Sequence, residues 1–179
     1  MMKLRSSEIQ LRAPEPSDVD LLYRWENDES LWHVSNTLAP FSRFTLEQYI
    51  LNNPADIFAH RQLRLMIDLV SGTKATRKTI GTVDLFEFEP VHHRAGIGIL
   101  IIPEYQRKTY ATQALKLMLK YSFEHLQLHQ LFCNISTDNE ASMRLFQKLG
   151  FQINGRKREW LMINDQWADE IFLQLLKSD

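Results

Sequence analysis

The segment from Pro103 to Leu115 follows an apolar run at residues 97–102, and it combines a predicted helix start with two cations, which together could bind a phosphate. Residues 106–111 read Gln-Arg-Lys-Thr-Tyr-Ala and open an amphipathic helix. The start of a helix leaves roughly four backbone N–H groups unpaired and carries about half a positive charge, so it stabilises an anion. Arg107 and Lys108 add their charges beside it. The segment predicts a phosphate or pyrophosphate site, although the basic first turn of an ordinary surface helix has the same composition.

A second segment, residues 137–151, predicts a short capped helix. Thr137 and Glu140 have the spacing of a capping box, in which each side chain accepts the backbone N–H of the other residue. Gly150 can take the left-handed conformation that ends such a helix. Alone, this segment is equally consistent with a helix that only packs against the core.

Together, the two segments resemble the acyl-CoA-binding motifs of the GNAT N-acetyltransferases. The first resembles the family pattern Gln/Arg-x-x-Gly-x-Gly/Ala. The second resembles Asn-x-x-Ser-x-x-x-Tyr-x-x-x-Gly-Phe at Asn139, Ser142, Gly150 and Phe151. The resemblance implies acetyl-CoA as co-substrate and no metal. The residues that the resemblance implies near the pyrophosphate are Gln106, Arg107, Lys108, Thr109, Tyr110 and Ala111. Those that it implies near the thiol are Asn139, Ser142 and Phe146.

Three positions depart from the family pattern. Thr109 stands where the first glycine is expected, and a threonine with a left-handed backbone would be strained there. Phe146 stands where many members carry a tyrosine that protonates the departing thiolate, and a phenyl ring has no proton to give. Gly96 stands where many members carry a glutamate that acts as general base.

An acceptor amine must lose a proton before it attacks, because alkylamines titrate near pH ~10.4. Candidate bases are Glu87, which resembles an acidic position of the polyamine-type members, Asp84, and the pair His92 and His93, because imidazole titrates near neutral pH. Ser142 is a further candidate catalytic residue because the resemblance places it at the thiol end. The histidine pair lacks a third ligand at zinc-like spacing, so no metal site is predicted.

Carboxylates beside aromatic rings could bind a cationic acceptor by charge pairing and cation–π contact. The candidate acceptor-binding residues are Asp28, Glu29, Trp32, Asp84 and Glu87. The same residues also fit solvated helix and strand ends with one packing tryptophan. The sequence alone does not name the acceptor.

Mixed strands and helices must position these residues. Alternation and capping signals predict strands near residues 8–12, 61–70, 79–87, 92–102, 130–136, 152–164 and 167–176, and helices near residues 17–26, 45–52, 107–126 and 137–149. This order predicts an α/β (α+β) fold of GNAT type, with a mixed, mostly antiparallel sheet of about seven strands flanked by about four helices. The resemblance further implies that the strands ending near Ile102 and starting near Leu131 splay apart. The pantetheine of acetyl-CoA would then pair with the backbone of Leu100, Ile101 and Ile102.

Composition limits the classes of protein that fit. A chain of 179 residues, with 44% hydrophobic and 24% charged, suits one domain over residues 1–179. The chain has 21 Lys and Arg residues and 22 Asp and Glu residues. This near-even balance of charge argues against a general binder of nucleic acid or anionic membrane. No signal peptide or long apolar segment is present, so we expect a cytoplasmic protein. Cys133, the one cysteine, is expected to be a buried strand residue.

Three functions stay open at this point. The first is an acetyl-CoA-dependent N-acetyltransferase acting on a small amine or polyamine, because the chain most resembles the polyamine branch of the family. The second transfers the acetyl group to a protein N-terminus, as in the related ribosomal-protein branch. The third is an acyl-CoA-binding module with weak or no transferase activity, which the three departures favour. A homodimer or higher homo-oligomer is also possible, since Trp160, Leu161 and Trp167 would suit an interface.

Overall fold

The structure is a computed structural model that describes residues 4–29, 31–32, 37–52, 56–70 and 78–177. Its strands are β1 Ile9–Arg12, β2 Leu63–Leu69, β3 Lys78–Glu89, β4 Arg94–Ile101, β5 Gln130–Ser136, β6 Gln152–Ile163 and β7 Gln166–Leu176. Its α-helices in these ranges are α1 Val19–Glu26, α2 Arg43–Asn52, α3 Ile57–His60, α4 Tyr110–Lys120 and α5 Glu140–Lys148. Short 3-10 segments precede α1 and α4 at Pro16–Asp18 and Pro103–Tyr105, and a π-turn at Tyr121–His125 extends α4. Within the described ranges, no helix has the length and apolar character needed to cross a membrane.

The strands form a 7-stranded sheet in the order β1-β2-β3-β4-β5-β7-β6. Among the described strands only β4 and β5 are parallel neighbours, so the predicted mixed, mostly antiparallel sheet is confirmed. The pairing of β4 with β5 covers only the first part of each strand, from Arg94 with Gln130 to Gly96 with Phe132. Beyond it, β4 stays paired with β3 and β5 stays paired with β7, but the two strands separate. A gap therefore opens within the sheet.

Helices cover both faces of this sheet. Leu115 of α4 is fully buried in the larger core cluster, together with Leu65 and Ile67 of β2. Met66 lies between those two residues and packs with Leu22 of α1 in a second cluster. Successive residues of a strand point to opposite faces, so the sheet is the middle of three layers. We name its two sides the α4 face and the α1 face.

The helix ends at the two motifs differ in part from the predicted ones. α4 begins at Tyr110 and not near Arg107, because Arg107 has a left-handed backbone (φ 57°) that an α-helix cannot contain. The cap of α5 is Asn139, whose Oδ1 accepts the N–H of Ser142 at 3.1 Å. The predicted capping box is therefore wrong, since an asparagine adjacent to the first helical residue satisfies the free N–H instead.

The end of α5 agrees with the prediction. Gly150 has a left-handed backbone (φ 95°) directly after the helix. Its N–H donates to the carbonyl of Gln147 at 3.0 Å, and the N–H of Phe151 donates to the carbonyl of Phe146 at 3.1 Å. This pair of hydrogen bonds is the Schellman motif, which explains why the segment needs glycine at this position.

Candidate cofactor and acceptor site

A cavity of about 450 Å³ occupies the gap between β4 and β5. Consecutive residues of both strands line it, and because these point to opposite faces, the cavity reaches both sides of the sheet. The lining includes the predicted site residues Asp84, Glu87, Leu100, Asn139, Ser142 and Phe146. It also includes charged and polar residues that sequence reasoning missed, among them Glu26, Arg64, Asn134, Ser136 and Glu170.

The α4 face of the gap is apolar. Cys133 and Phe146 are 2% and 3% exposed, and Phe146 packs edge-on against Phe151 with ring centroids 5.1 Å apart. Burial raises the pKa of the Cys133 thiol to about 12, so this thiol stays protonated, as expected of a core residue. Ser142 lies half-buried in the first turn of α5, at the end of this apolar slot. The slot can accommodate an acyl chain, and its buried Cys133 thiol is a poor nucleophile because it stays protonated.

The predicted backbone partners for pantetheine are partly engaged within the protein. The N–H of Ile102 donates to the carbonyl of Ile80 at 3.0 Å, so it is not available to a ligand. The carbonyl of Ile101 accepts from Gln106 Nε2 at 2.8 Å but keeps a second lone pair. Leu100 lines the cavity. The Gln106 contact also ties the loop before α4 to the end of β4.

That loop has the backbone of an anion site. Arg107 is left-handed, whereas Thr109 is right-handed, with φ −76° and ψ −4°. The first N–H groups of α4, which follow this turn, have no intrahelical partner and can bind an anion. Lys108 Nζ lies 4.9 Å from the ring centroid of Tyr105 and 5.9 Å from that of Tyr110, which keeps this cation beside the helix start.

Thr109 fits the loop without backbone strain, because the left-handed residue is Arg107. The Thr109 hydroxyl accepts from Gln113 Nε2 at 2.9 Å and donates to Glu8 Oε2 at 3.4 Å. Gln113 also accepts from the Ser6 hydroxyl at 2.6 Å. These contacts hold the Thr109 side chain against the N-terminal strand region, along the flank of α4.

Gly96 leaves space that Phe86 fills from the neighbouring strand. A Cβ atom built at Gly96 would lie 2.2 Å from a ring atom of Phe86. The same ring packs edge-on against Phe132 of β5, with centroids 5.9 Å apart. A glutamate therefore cannot fit at position 96 while Phe86 keeps this place, and the base must come from another position.

Glu87 occupies a β-bulge at the mouth of the cavity. Phe86 pairs with Gly96, but the next paired residues are Glu89 and Arg94, so β3 has one residue more than β4 there. Glu87 has a left-handed backbone (φ 46°). The extra residue shifts the alternation, so that the following Phe88 enters the core and Glu87 is exposed at the cavity.

A guanidinium with two carboxylates lines the β3 side of the cavity. Arg64 of β2 donates to Asp84 from Nε at 2.9 Å and from Nη2 at 3.2 Å, and it also pairs with Glu26 of α1. Burial alone would lower the pKa of Arg64. The carboxylates of Asp84 and Glu26 outweigh this effect and raise the pKa above its usual value. The trio keeps one net negative charge. Asp84 therefore accepts hydrogen bonds from Arg64, and its charge acts on the electrostatic potential of the cavity together with the charges of Arg64 and Glu26.

The other predicted acceptor and base residues lie elsewhere. Asp28 and Glu29 are exposed after α1, and Trp32 donates from Nε1 to the carbonyl of Glu26 at 2.9 Å. None of the three is among the lining residues, and residues 30 and 33–36 of the same segment lie outside the described ranges. Acceptor binding by Asp28, Glu29 and Trp32 stays a prediction.

His92 and His93 lie in the exposed turn between β3 and β4, at the paired end of β4. His93 Nδ1 is 3.1 Å from the carbonyl of Gln127. The gap begins at the opposite end of β4, and neither histidine is among the described lining residues of the cavity, so a histidine base stays a prediction. In the described part of the chain, no three His, Cys, Asp or Glu side chains are grouped to hold a metal ion.

Comparisons with known proteins agree with this architecture. The sequence matches the family model of the acetyltransferase (GNAT) domain over residues 8–152. The spermidine N(1)-acetyltransferase of Escherichia coli (strain K12) is 32% identical over 167 residues, covering 91% of this chain and 83% of that protein. A crystal structure of spermidine N-acetyltransferase from Vibrio cholerae with CoA and spermine is similar with a TM-score of 0.83 and 26% identity, covering 96% of both chains.

A further structure of a spermidine N-acetyltransferase from Vibrio cholerae, dodecameric and in an intermediate state, has a TM-score of 0.79 and 27% identity over 96% of this chain and 95% of that chain. The family model covers most of the chain, and the splayed strands and helix start suit a bound acyl-CoA. The chain therefore belongs to the GNAT family of acetyl-CoA-dependent N-acetyltransferases.

Proposed function

We propose that the protein transfers the acetyl group of acetyl-CoA to a primary amine of a small polyamine. The charge of the cavity carries this proposal. Among its described lining residues, the carboxylates Glu26, Asp84 and Glu87 outnumber the cation Arg64, and a fourth carboxylate, Glu170, is paired with Lys157. Such a surplus attracts cations and raises their local concentration. The similarity to the E. coli spermidine acetyltransferase and to the Vibrio cholerae protein with bound CoA and spermine supports the same class of acceptor.

The chain's own groups would hold the cofactor along the α4 face. The backbone of residues 107–110 binds the pyrophosphate, together with the side chains of Arg107 and Lys108. The open edge of β4 at Ile99 and Ile101 pairs with the pantetheine amides, because antiparallel pairing with Thr82 directs the backbone groups of Leu100 towards β3. Asn139, Ser142 and Phe146 surround the thiol end, with Phe146 packing beside it and Asn139 fixing the first turn of α5.

Glu87 accepts the proton of the acceptor ammonium, directly or through one water, at the mouth on the α1 face. Acetyl-CoA supplies the acetyl group as a thioester, which an unprotonated amine attacks. At the thiol end, the Ser142 hydroxyl and the Asn139 side-chain amide can donate a hydrogen bond, whereas Phe146 has no proton to give. A thiol has a reference pKa near 8.5, so its anion is a tolerable leaving group without a strong acid.

The test is release of free thiol from acetyl-CoA on addition of spermidine, spermine or 1,4-diaminobutane, with the acetylated amine identified by mass spectrometry. The expected result is thiol release that depends on both substrates. Release only with peptides bearing a free N-terminus would favour the ribosomal-type function instead. Binding of acetyl-CoA without release from any of these acceptors would favour a non-catalytic module.

A homo-oligomer is part of the proposal. The hairpin of β6 and β7 exposes large apolar side chains, with Trp160 at 60%, Met162 at 53% and Trp167 at 61%. Exposed apolar surface of this kind commonly marks an interface. The dodecameric Vibrio cholerae relative supports assembly. Sedimentation analysis should give a mass above that of the monomer, and a monomer at micromolar concentration would contradict this.

A further inference from the structure

A lysine of the protein occupies an ammonium-binding position at the far side of the cavity. Lys157 Nζ donates to Glu170 Oε2 at 2.6 Å and to Asn134 Oδ1 at 3.1 Å, and both of those residues line the cavity. Its Nζ also lies 5.2 Å from the ring centroid of Trp160. A carboxylate, an amide oxygen and an aromatic face are the groups that bind a primary alkylammonium.

Strand register places these groups on the α1 face. Glu170 of β7 is paired with Ser136 of β5 on one side and with Lys157 of β6 on the other, so the three side chains share a face. Asn134 lies two residues before Ser136 and shares that face as well. The group therefore lies across the gap from Arg64 and its two carboxylates, with β4 and β5 between β3 and β7.

We propose that Lys157 occupies a second ammonium subsite of the acceptor cavity. While Lys157 fills this subsite, an acceptor with a second ammonium group gains no affinity from it. This inference rests on the proposed function. With Lys157 in place, Glu170 is neutralised and its side of the cavity does not attract a cation. The opposite side keeps one net negative charge from Arg64, Asp84 and Glu26, and it anchors the acceptor alone.

Removing the ammonium of Lys157 exposes the subsite to the acceptor. In Lys157→Met the aliphatic stem remains, but Glu170 and Asn134 lose their cation. The distal ammonium of a diamine can then take its place, whereas a monoamine has no such group. A charged hydrogen bond is worth about tenfold in affinity, so kcat/KM for 1,4-diaminobutane should rise about tenfold relative to that for butylamine.

The first readout is thermal stability, which needs no turnover. Glu170 is 8% exposed, so Lys157→Met should have a lower Tm than the wild type because the carboxylate loses its partner. Added 1,4-diaminobutane should restore part of the loss, and butylamine at equal concentration should not. Lys116→Met, which removes an exposed lysine of α4, is the matched control and should show neither effect.

The second readout is a double-variant cycle on selectivity. The gain for the diamine should vanish in Lys157→Met/Glu170→Gln, because no carboxylate remains to bind the distal ammonium. If Lys157→Met changes the kcat/KM values of both amines equally, and the diamine restores no stability, Lys157 is a structural ion-pair partner and the inference is wrong. Absence of any acetyl transfer by the wild type would overturn the proposed function, while diamine-specific recovery of Tm would still support the subsite.

Discussion

Replacing Glu87 by glycine should raise the stability of the protein while it removes most of the acetyltransferase activity. Glu87 has a left-handed backbone (φ 46°) in the bulge of β3, which a glutamate adopts at a cost of about 1–2 kcal/mol. Glycine adopts this backbone without that cost but loses about 0.5–1 kcal/mol through its more flexible unfolded state. The expected net gain is about 0.5–1 kcal/mol. For a chain of this size that is a rise in Tm of about 1–4 °C.

The activity should change in the opposite direction. If Glu87 removes the proton from the acceptor, its loss should lower kcat/KM about 10²-fold or more. Glu87→Gln keeps the strained backbone and removes only the proton acceptor. It should therefore lower activity to a similar degree while its Tm stays close to that of the wild type. Thiol release and thermal unfolding measured on the same samples separate the two effects.

Glu159 provides the matched control for this pair. It lies in a bulge of β6 with a nearly identical backbone (φ 47°), is exposed, and does not line the cavity. Glu159→Gly should raise Tm by a similar amount and leave kcat/KM unchanged. Two results would refute the reasoning: wild-type activity in Glu87→Gly would remove Glu87 as the base, and a lower Tm would show that its backbone is not strained.

Further predictions concern the cofactor site and the pH dependence. Arg107→Glu/Lys108→Glu should weaken acetyl-CoA binding at least about tenfold in calorimetry, with an unchanged Tm, because both side chains are exposed beside the anion site. Phe146→Tyr should raise kcat if proton delivery at the thiol limits turnover, and an unchanged kcat would show that it does not. Burial alone would raise the pKa of Asp18, but hydrogen bonds, foremost that from Arg12, outweigh it and hold the pKa below its usual value. The stability that Asp18 contributes is therefore present above pH ~4 and lost as the pH falls below it, so Asp18→Asn should flatten the acid limb of urea-denaturation stability. An unchanged limb would contradict this.

Much of the scaffold was predictable because local signals agree with it. Alternation predicted the strands and their order along the chain, and the parallel pairing of β4 with β5 is consistent with the long helical crossover between them. Gly150 marked the end of α5 because only a left-handed residue can make that turn. Cys133 was recognisable as a core residue from the apolar strand around it.

The site was less predictable, because its key features depend on contacts between distant residues. Nothing local to Arg64 signals that Asp84 and Glu26 will converge on it from another strand and a helix. The bulge at Glu87 arises from a register mismatch between β3 and β4, which a single strand cannot reveal. His92 was a candidate base because of the chemistry of imidazole. Its position in the turn at the end of β4 that pairs with β5 follows from the sheet topology, which no local signal shows.

Amide hydrogen exchange with and without acetyl-CoA tests the central claim most directly. The claim is that the cofactor lies along the open edge of β4 with its pyrophosphate on the start of α4. Under conditions where calorimetry shows saturation, residues 97–101 and 106–111 should exchange more slowly in the presence of acetyl-CoA. Saturated binding with unchanged exchange in both segments would contradict the account.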